Sequence, residues 1–304
     1  MINKFPYSDD NKRYHTLNYH NKHMYGCRVY KATVDAGLSC PHMESGGCIF
    51  CAKTPHDPRT VKEQFNAERE RILKKDKNAK ILLYYGIGTN TFCTVERLSE
   101  LLEEARECGA FAVSLATRPD CLDGQKARLL AEFSDRTGLP LTVELGLQTI
   151  HDKTAELINR GHTYAGFLRG YDLLGSYGIR KCVHIINGLP CEDTEMMIET
   201  AHVVGKLRPE GLKIHSAHVL RGTRLCEMYR RGEYITIERD VYIDTAARQL
   251  ELIPPETVIE RVTGDGDKTL LEAPDWSRDK IAVLGGLDKR MAELDTYQGR
   301  LFNA

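Results

Sequence analysis

The 304-residue sequence has no long apolar run: no window approaches the roughly 18 apolar residues that a membrane-spanning helix requires. The first 26 residues are polar and aromatic, without the apolar core of a secretory leader. Neither sign of charge is in excess, since 42 Lys and Arg face 43 Asp and Glu for a net charge of −1. A nucleic-acid partner must therefore be met through a local basic patch and not a general positive field. No internal repeat or low-complexity tract is present, which excludes a repeat array. No G-x-G-x-x-G follows the first strand-like segment, so nothing marks a dinucleotide-binding sheet. Tryptophan occurs once, as Trp276.

Cysteine, by contrast, is plentiful. Of ten cysteines, Cys27, Cys93, Cys108, Cys121, Cys182, Cys191 and Cys226 are scattered singly, a distribution unlike a secreted disulfide framework and suited to a reducing cytoplasm. The other three crowd into CPHMESGGCIFC, with seven residues between Cys40 and Cys48 and two between Cys48 and Cys51, around Gly46 and Gly47 that make the loop flexible. Three thiolates converging from a dozen residues indicate a metal or cluster site. Their number matters: a cubane held by three thiolates keeps one iron open for a small ligand, whereas structural zinc wants a fourth protein ligand. His42 and His56 are the candidates for that fourth position in a zinc-stabilised binding protein.

Along the chain, strand-like segments alternate with helical ones. Strands are expected at 27–37, 79–86, 111–117, 139–149, 179–190 and 211–220, each followed by a helix-period segment, with Thr94 placed to cap the helix after the second. Near-continuous apolar strands in β-α alternation predict an α/β fold with parallel strands, a partial (β/α)6 TIM-like barrel over 27–220. Sites in such barrels sit on loops after the strands, and the cysteines occupy the first. Residues 1–26 read as an N-terminal extension and 221–304 as a C-terminal extension packed on the barrel. Residues 1–31 hold six Lys or Arg against two Asp, interleaved with Tyr7, Tyr14, Tyr19, Tyr25 and Tyr30, a mixture that suits phosphate contacts and base stacking or, alternatively, an ordinary solvated arm.

The segments DAGLSCPHMESGGCIFC, YYGIGTNTF, TRPDCL, VELGLQTIHDKTAELINRGH, HIINGLP and HVLRGTRL, with VTGDG and APDW, closely resemble radical SAM proteins of the YhcC/YtqA, Elongator-like type, over essentially the whole chain. The first cysteine gap is longer here than the commonest spacing in that superfamily. The resemblance implies a [4Fe-4S] cluster on Cys40, Cys48 and Cys51, S-adenosylmethionine (SAM) on its open iron, and reductive cleavage to a 5'-deoxyadenosyl radical. It implies that Phe50 packs on adenine, that backbone at Tyr85 and Gly86 meets the methionine amino group, and that Asn187 and Gly188 lie along adenine. Gln148 and Arg160, twelve residues apart, match a Gln and Arg that hold ribose and carboxylate in oxygen-independent coproporphyrinogen oxidases. Glu144, a carboxylate within a strand, needs a partner: cofactor or substrate hydroxyls, or Arg180 or Lys181 on the next strand. Arg160 could instead serve the C-terminus of its own helix. Cys191 stands where relatives usually have Gly and reads as a packed or loop thiol. His184, His215 and His218 fall on strands near the presumed cavity, as core histidines or substrate contacts. The implied partners are an electron donor such as flavodoxin or ferredoxin and a tRNA substrate modified at its wobble uridine; radical chemistry on a small metabolite or peptide is the alternative.

Overall fold

The computed structural model describes residues 5–53, 55–264 and 266–303. The first four residues of the N-terminal extension and Asp265 of the VTGDG segment lie outside the described residues. Six strands expected from the sequence are present as β1 (Val29–Val34), β2 (Lys80–Tyr85), β3 (Ala112–Thr117), β4 (Leu141–Gln148), β5 (Arg180–Asn187) and β6 (Gly211–Ser216). A short pair, β7 (Val219–Leu220) and β9 (Leu271–Ala273), is antiparallel. Between them β8 (Val258–Arg261) joins β6 in parallel, so one sheet of order β1-β2-β3-β4-β5-β6-β8 carries seven parallel strands. It curls into a half-barrel. The region expected only to pack on the barrel thus also contributes a strand to it.

The crossovers are helical, with α1 (Leu17–Tyr25) ahead of the sheet. The others are α2 (Val61–Leu73), α3 (Val95–Glu107), α4 (Gly124–Thr137), α5 (Asp152–Leu157), α6 (Tyr164–Ser176), α7 (Thr194–Lys206), α8 (Arg224–Arg230), α9 (Arg239–Glu251) and α10 (Lys280–Glu293). Thr60, Thr94, Asp123, Thr163 and Asp193 each accept a first-turn backbone N–H, which satisfies donors left open where a helix begins.

Strand periodicity divides the residues between two environments. Ala32, Val34, Leu83, Tyr85, Val113, Leu115, Val143, Leu145, Val183, Ile185, Leu212 and Ile214 pack on the helices in the main apolar core. The alternate residues face the lumen, and there the rows are polar: Lys31, Tyr84, Ser114, Glu144, His184 and Lys213 meet one another. At the lumen's upper end β2, β3 and β4 offer Gly86, Ala116 and Gly146, whereas β5 and β6 offer His184 and His215. Space opens above the first group.

The N-terminal segment closes the other end. Leu17, His20, Asn21 and Tyr25 of α1 surround a small space with Val29, Leu82, Ala112, Thr142 and Arg180, from the first halves of their strands. Its aromatic rings are engaged in packing: Tyr7 stacks on His15, Tyr19 on His23, and Tyr25 meets Phe111 edge-on. They are placed away from the cysteine loop.

Candidate functional site

The cysteine loop leaves β1 and turns through a short 3-10 helix, Pro41–Ser45. Gly46 and Gly47 follow with φ of 93° and 67°, a left-handed backbone that glycine adopts without steric cost. Their contribution is this turn, because the loop expected to be flexible is latched. Asn159 donates from Nδ2 to Ser45 O (3.2 Å) and Gly47 O (2.7 Å), His42 Nε2 donates to Asn159 O (2.6 Å), and Ile49 N donates to Ile158 O (3.0 Å). On the other side Gly88 touches the chain just ahead of Cys40 so closely that a Cβ there would lie 1.9 Å from Leu38 O.

Cys40, Cys48 and Cys51 line one cavity of about 540 Å³ with Met43, Thr89, Ala116, Arg118, Glu144, Gly146, Gln148, Arg160 and His184, among others. Cys48 is buried and Cys51 exposed. The Cys48 thiol is pushed down to about 6, first by a hydrogen bond with Cys51 and then, against the effect of burial, by the Arg160 and Arg118 guanidiniums. Arg160 Nη1 lies 3.8 Å from Cys48 Sγ while Nη2 donates to Gly146 O. Its buried Nε has no partner among the described residues. Arg118 holds Arg160 from behind, donating to its carbonyl (2.8 Å) and bidentately to Asp120. The Arg160 guanidinium thus points to the cavity and not to the end of its own helix. A Cβ at Gly146 would come 2.7 Å from Arg160 Nη2, so glycine there permits this approach.

Beneath the cavity Glu144 is wholly buried. It accepts from Lys31 Nζ (2.8 Å), Ser114 Oγ (2.8 Å) and His184 Nε2 (2.9 Å), and it pairs with Lys213. Burial opposes its ionisation, but Lys31 and Lys213 hold the carboxyl well below the usual range. Burial lowers His184 and Lys213, the former further through the Lys213 charge. Lys31 also pairs with Glu260 on β8 (2.8 Å). The expected pairing of Glu144 with Arg180 or Lys181 is not made: Arg180 pairs with Glu260 (3.0 Å) and Lys181 with Glu210 (3.4 Å). Both lie lower or outward on β5.

The remaining residues singled out in the sequence divide. Gln148, with φ of 79°, lines the large cavity and also a second one of about 260 Å³. Phe50, His184, His215 and His218 line the second cavity, and of these only His184 lines the first as well. Tyr85 points into the helix layer, donating to Leu101 O (2.6 Å), and Gly86 follows it where a Cβ would come 2.5 Å from the Tyr84 ring. Asn187 is turned away from both cavities into a reciprocal amide pair with Gln249 (2.8 and 2.9 Å). Gly188 O accepts from Tyr234, and neither Asn187 nor Gly188 lines a described cavity. Cys191 is an exposed thiol with φ of 64°. His42 spends both ring nitrogens on Asn159 and Ser45, while His56 Nδ1 faces Asp35. Among the described residues no three His, Cys, Asp or Glu side chains gather as tightly as a single ion requires; a cubane spreads its thiolates over a larger body. Lys31, Lys213, Ser114 and Arg118 were not singled out. Lys31, Ser114 and Lys213 carry a signal, a polar residue at an inward position with a core-facing apolar residue on either side.

A parallel half-barrel with three thiols on the loop after its first strand defines a class of cluster-holding barrel proteins. Residues 39–204 match the radical SAM superfamily and residues 209–293 the radical SAM C-terminal domain. The chain belongs to the radical SAM superfamily, whose members are enzymes and whose cofactors are a [4Fe-4S] cluster and SAM. It is 42% identical to the uncharacterized protein YtqA of Bacillus subtilis, over 99% of this chain and 96% of that protein. A more distant relative, the tRNA uridine(34) acetyltransferase of Methanocaldococcus jannaschii, is 28% identical over 57% of this chain and 32% of its own length. The structure of Elp3 from Methanocaldococcus infernus shares the fold, with a TM-score of 0.67 at 21% identity over 90% of this chain and 64% of that one.

The residues present fit these cofactors. Three thiols face one cavity of a size usual for small-molecule sites, a guanidinium stands at the buried thiol with an unsatisfied N–H beside it, and glycine and alanine at the lumen's upper end leave room.

Proposed function

We propose that Cys40, Cys48 and Cys51 hold the cluster and that the chain modifies the side chain of a tRNA wobble uridine. The observation that carries the cofactor assignment is the convergence of the three thiols on the 540 Å³ cavity beside Arg160 and Gln148. Bound there, the cluster would supply the electron for reductive cleavage of SAM into methionine and a 5'-deoxyadenosyl group competent for hydrogen abstraction. The protein's own residues bind and orient. Arg160, a fork suited to carboxylate, offers its cavity-facing N–H groups to the methionine carboxylate, and Arg118 and Gly146 O hold that fork in place. Gln148 serves the ribose. Phe50 borders the space next to the cofactor, and Gly86, with no side chain, lets backbone approach the amino group. Glu144, already bound to two lysines and a histidine, positions the His184 ring at the junction of the two cavities. An electron donor such as flavodoxin or ferredoxin reduces the cluster.

The tRNA substrate is supported by the named activity of the Methanocaldococcus jannaschii relative and by the basic segment 221–231. That segment begins α8 beside the cysteine loop, where Leu225 N donates to Ile49 O (2.8 Å). Arg224, next to Leu225, therefore stands near the cysteine loop, as the N-terminal aromatics do not, while Arg230 and Arg231 at the far end of α8 pair with Glu272 and Glu233. Anaerobic reconstitution with iron and sulfide, followed by reductant and SAM, should release 5'-deoxyadenosine from the wild type and none from Cys48→Ala. A colourless protein holding one zinc overturns the assignment. Bulk tRNA should be retained at moderate salt and released steeply as salt rises; no retention favours a metabolite or peptide.

A further inference from the structure

The 260 Å³ cavity belongs to none of the cofactor contacts proposed above apart from Phe50 and Gln148, yet it opens beside the cofactor cavity and shares Gln148 and His184 with it. Its floor is built from imidazoles. The His184 and His215 rings lie 5.3 Å apart, centroid to centroid. His184 spends its Nε2 on Glu144, but the buried His215 Nε2 has no hydrogen-bond partner among the described residues. A buried ring nitrogen left unpaired is costly and calls for a bound partner. His218 stands on the wall, 3.1 Å from Ser216 Oγ, pressed by the loop after β8, where a Cβ at Gly264 would lie 2.3 Å from its ring. Phe50, Ile186 and Leu220 supply flat apolar wall, and Arg261 lines the cavity too.

The occupant's chemistry follows from this lining. Among the described lining residues the permanent charge is the Arg261 guanidinium, a group that donates hydrogen bonds and accepts none. With Arg261 as a donor only, and the Gln148 amide, the Ser216 hydroxyl and the imidazoles each able to donate as well as accept, the lining suits a ligand edge that carries carbonyl oxygens. The volume is at or below the small end of ligand pockets, room for one ring and not for a folded peptide segment. An apolar wall with an aromatic ring and polar groups on the floor is how proteins hold a base taken out of a stack.

We infer that this second cavity is the subsite for a single unpaired, carbonyl-bearing nucleobase, which His215 recognises through Nε2 beside Phe50. The inference rests on the nucleic-acid reading above and assigns the place and the residue that read the base. His215 here is a specificity residue that touches substrate.

The test uses the reconstituted holoenzyme without reductant and fluorescently labelled oligouridylate and oligoadenylate of equal length. By anisotropy the wild type should favour oligouridylate by about tenfold, the scale of one well-recognised base. His215→Phe should abolish that preference and leave the oligoadenylate affinity unchanged, His215→Gln should restore part of it, and Leu220→Trp, which fills the cavity from its half-buried wall, should abolish it independently. Each variant should keep the wild-type far-ultraviolet circular dichroism and the wild-type iron and sulfide per chain after reconstitution, which shows that fold and cluster site survive. RNA bound without a preference, or a preference that both His215→Phe and Leu220→Trp retain, overturns the subsite and leaves the nucleic-acid reading standing. Failure of the wild type to bind either RNA overturns that reading, and the base assignment with it.

Discussion

At the scale of single residues, Glu144 has the most demanding position. A carboxylate with no solvent exposure persists because Lys31, Lys213, His184 and Ser114 all address it. Removing one member of a buried charge set leaves the others uncompensated, at a cost of about 3–5 kcal/mol. Glu144→Gln should therefore lower the free energy of urea unfolding by about that much. Adding Lys213→Met should recover part of the loss, because a neutral pair no longer strands the lysine charge. If the single and double variants unfold alike, Lys213 is not balanced by Glu144. Arg160 is different in kind: its charge is directed at Cys48 and the cavity, with Gly146 O and Arg118 fixing its direction.

At the scale of elements, the cysteine loop depends on neighbours that carry no cysteine. The segment 158–160 latches one side through Ile158 and Asn159, and Gly88 abuts the other at Leu38. Gly88→Ala must push the Leu38 backbone away and with it the start of the cysteine loop. Iron and sulfide per chain after anaerobic reconstitution should fall several-fold, with the far-ultraviolet circular dichroism unchanged. Gly178→Ala is the matched control, since Gly178 has φ of 67° and no atom within 4 Å of a Cβ. It should cost about 1–2 kcal/mol of stability from left-handed backbone alone and leave cluster loading intact. Equal loading in the two variants would separate the Gly88 contact from the site. β8 shows a similar dependence, because its Glu260 holds both Lys31 and Arg180.

At the scale of the whole molecule, the polar lumen makes stability depend on pH in two windows. Burial first, then the charge of Arg180 for His20 and of Lys280 for His218, brings both imidazoles from 6.5 to about 4. The unfolded chain binds those protons near 6.5 and the folded one only near 4, so stability falls as the pH drops from 6.5 to 4. Glu260 resists burial through Lys31 and Arg180 and titrates at about 2 instead of 4.5, so its contribution is lost between 4.5 and 2. Urea midpoints measured from pH 7 to pH 4 should decline, and His20→Phe with His218→Phe should flatten that slope. An unchanged slope in the double variant would assign the decline to other groups.

Much of this architecture was legible in the chain. The three-cysteine loop, six strands in β-α alternation and the cap at Thr94 are local patterns, and each reappears because a strand's inward and outward faces and a helix's first turn are decided by near neighbours. Gln148 and Arg160 also reach the cofactor cavity, since Gln148 ends β4 and Arg160 follows α5, the short helix that comes next. The partners of Glu144 were not legible. Lys31 is 113 residues away from it, and Glu260 is 229 from Lys31, and they meet only because the sheet curls. Nor was the place of the seventh strand: a short strand after the proline break at 254–255 reads locally, but its pairing with β6 depends on an edge that the rest of the sheet creates. The N-terminal aromatics suit base stacking by composition, but packing spends them on the lumen's far end. By itself the sequence determined that three thiols share a loop at the upper end of a parallel α/β sheet. Only the tertiary structure decided which inward side chains face one another, which divides the space above them into a thiol-lined cavity and an imidazole-floored one. Spacing along a chain sets the direction of a side chain, whereas closure of the sheet sets what it meets.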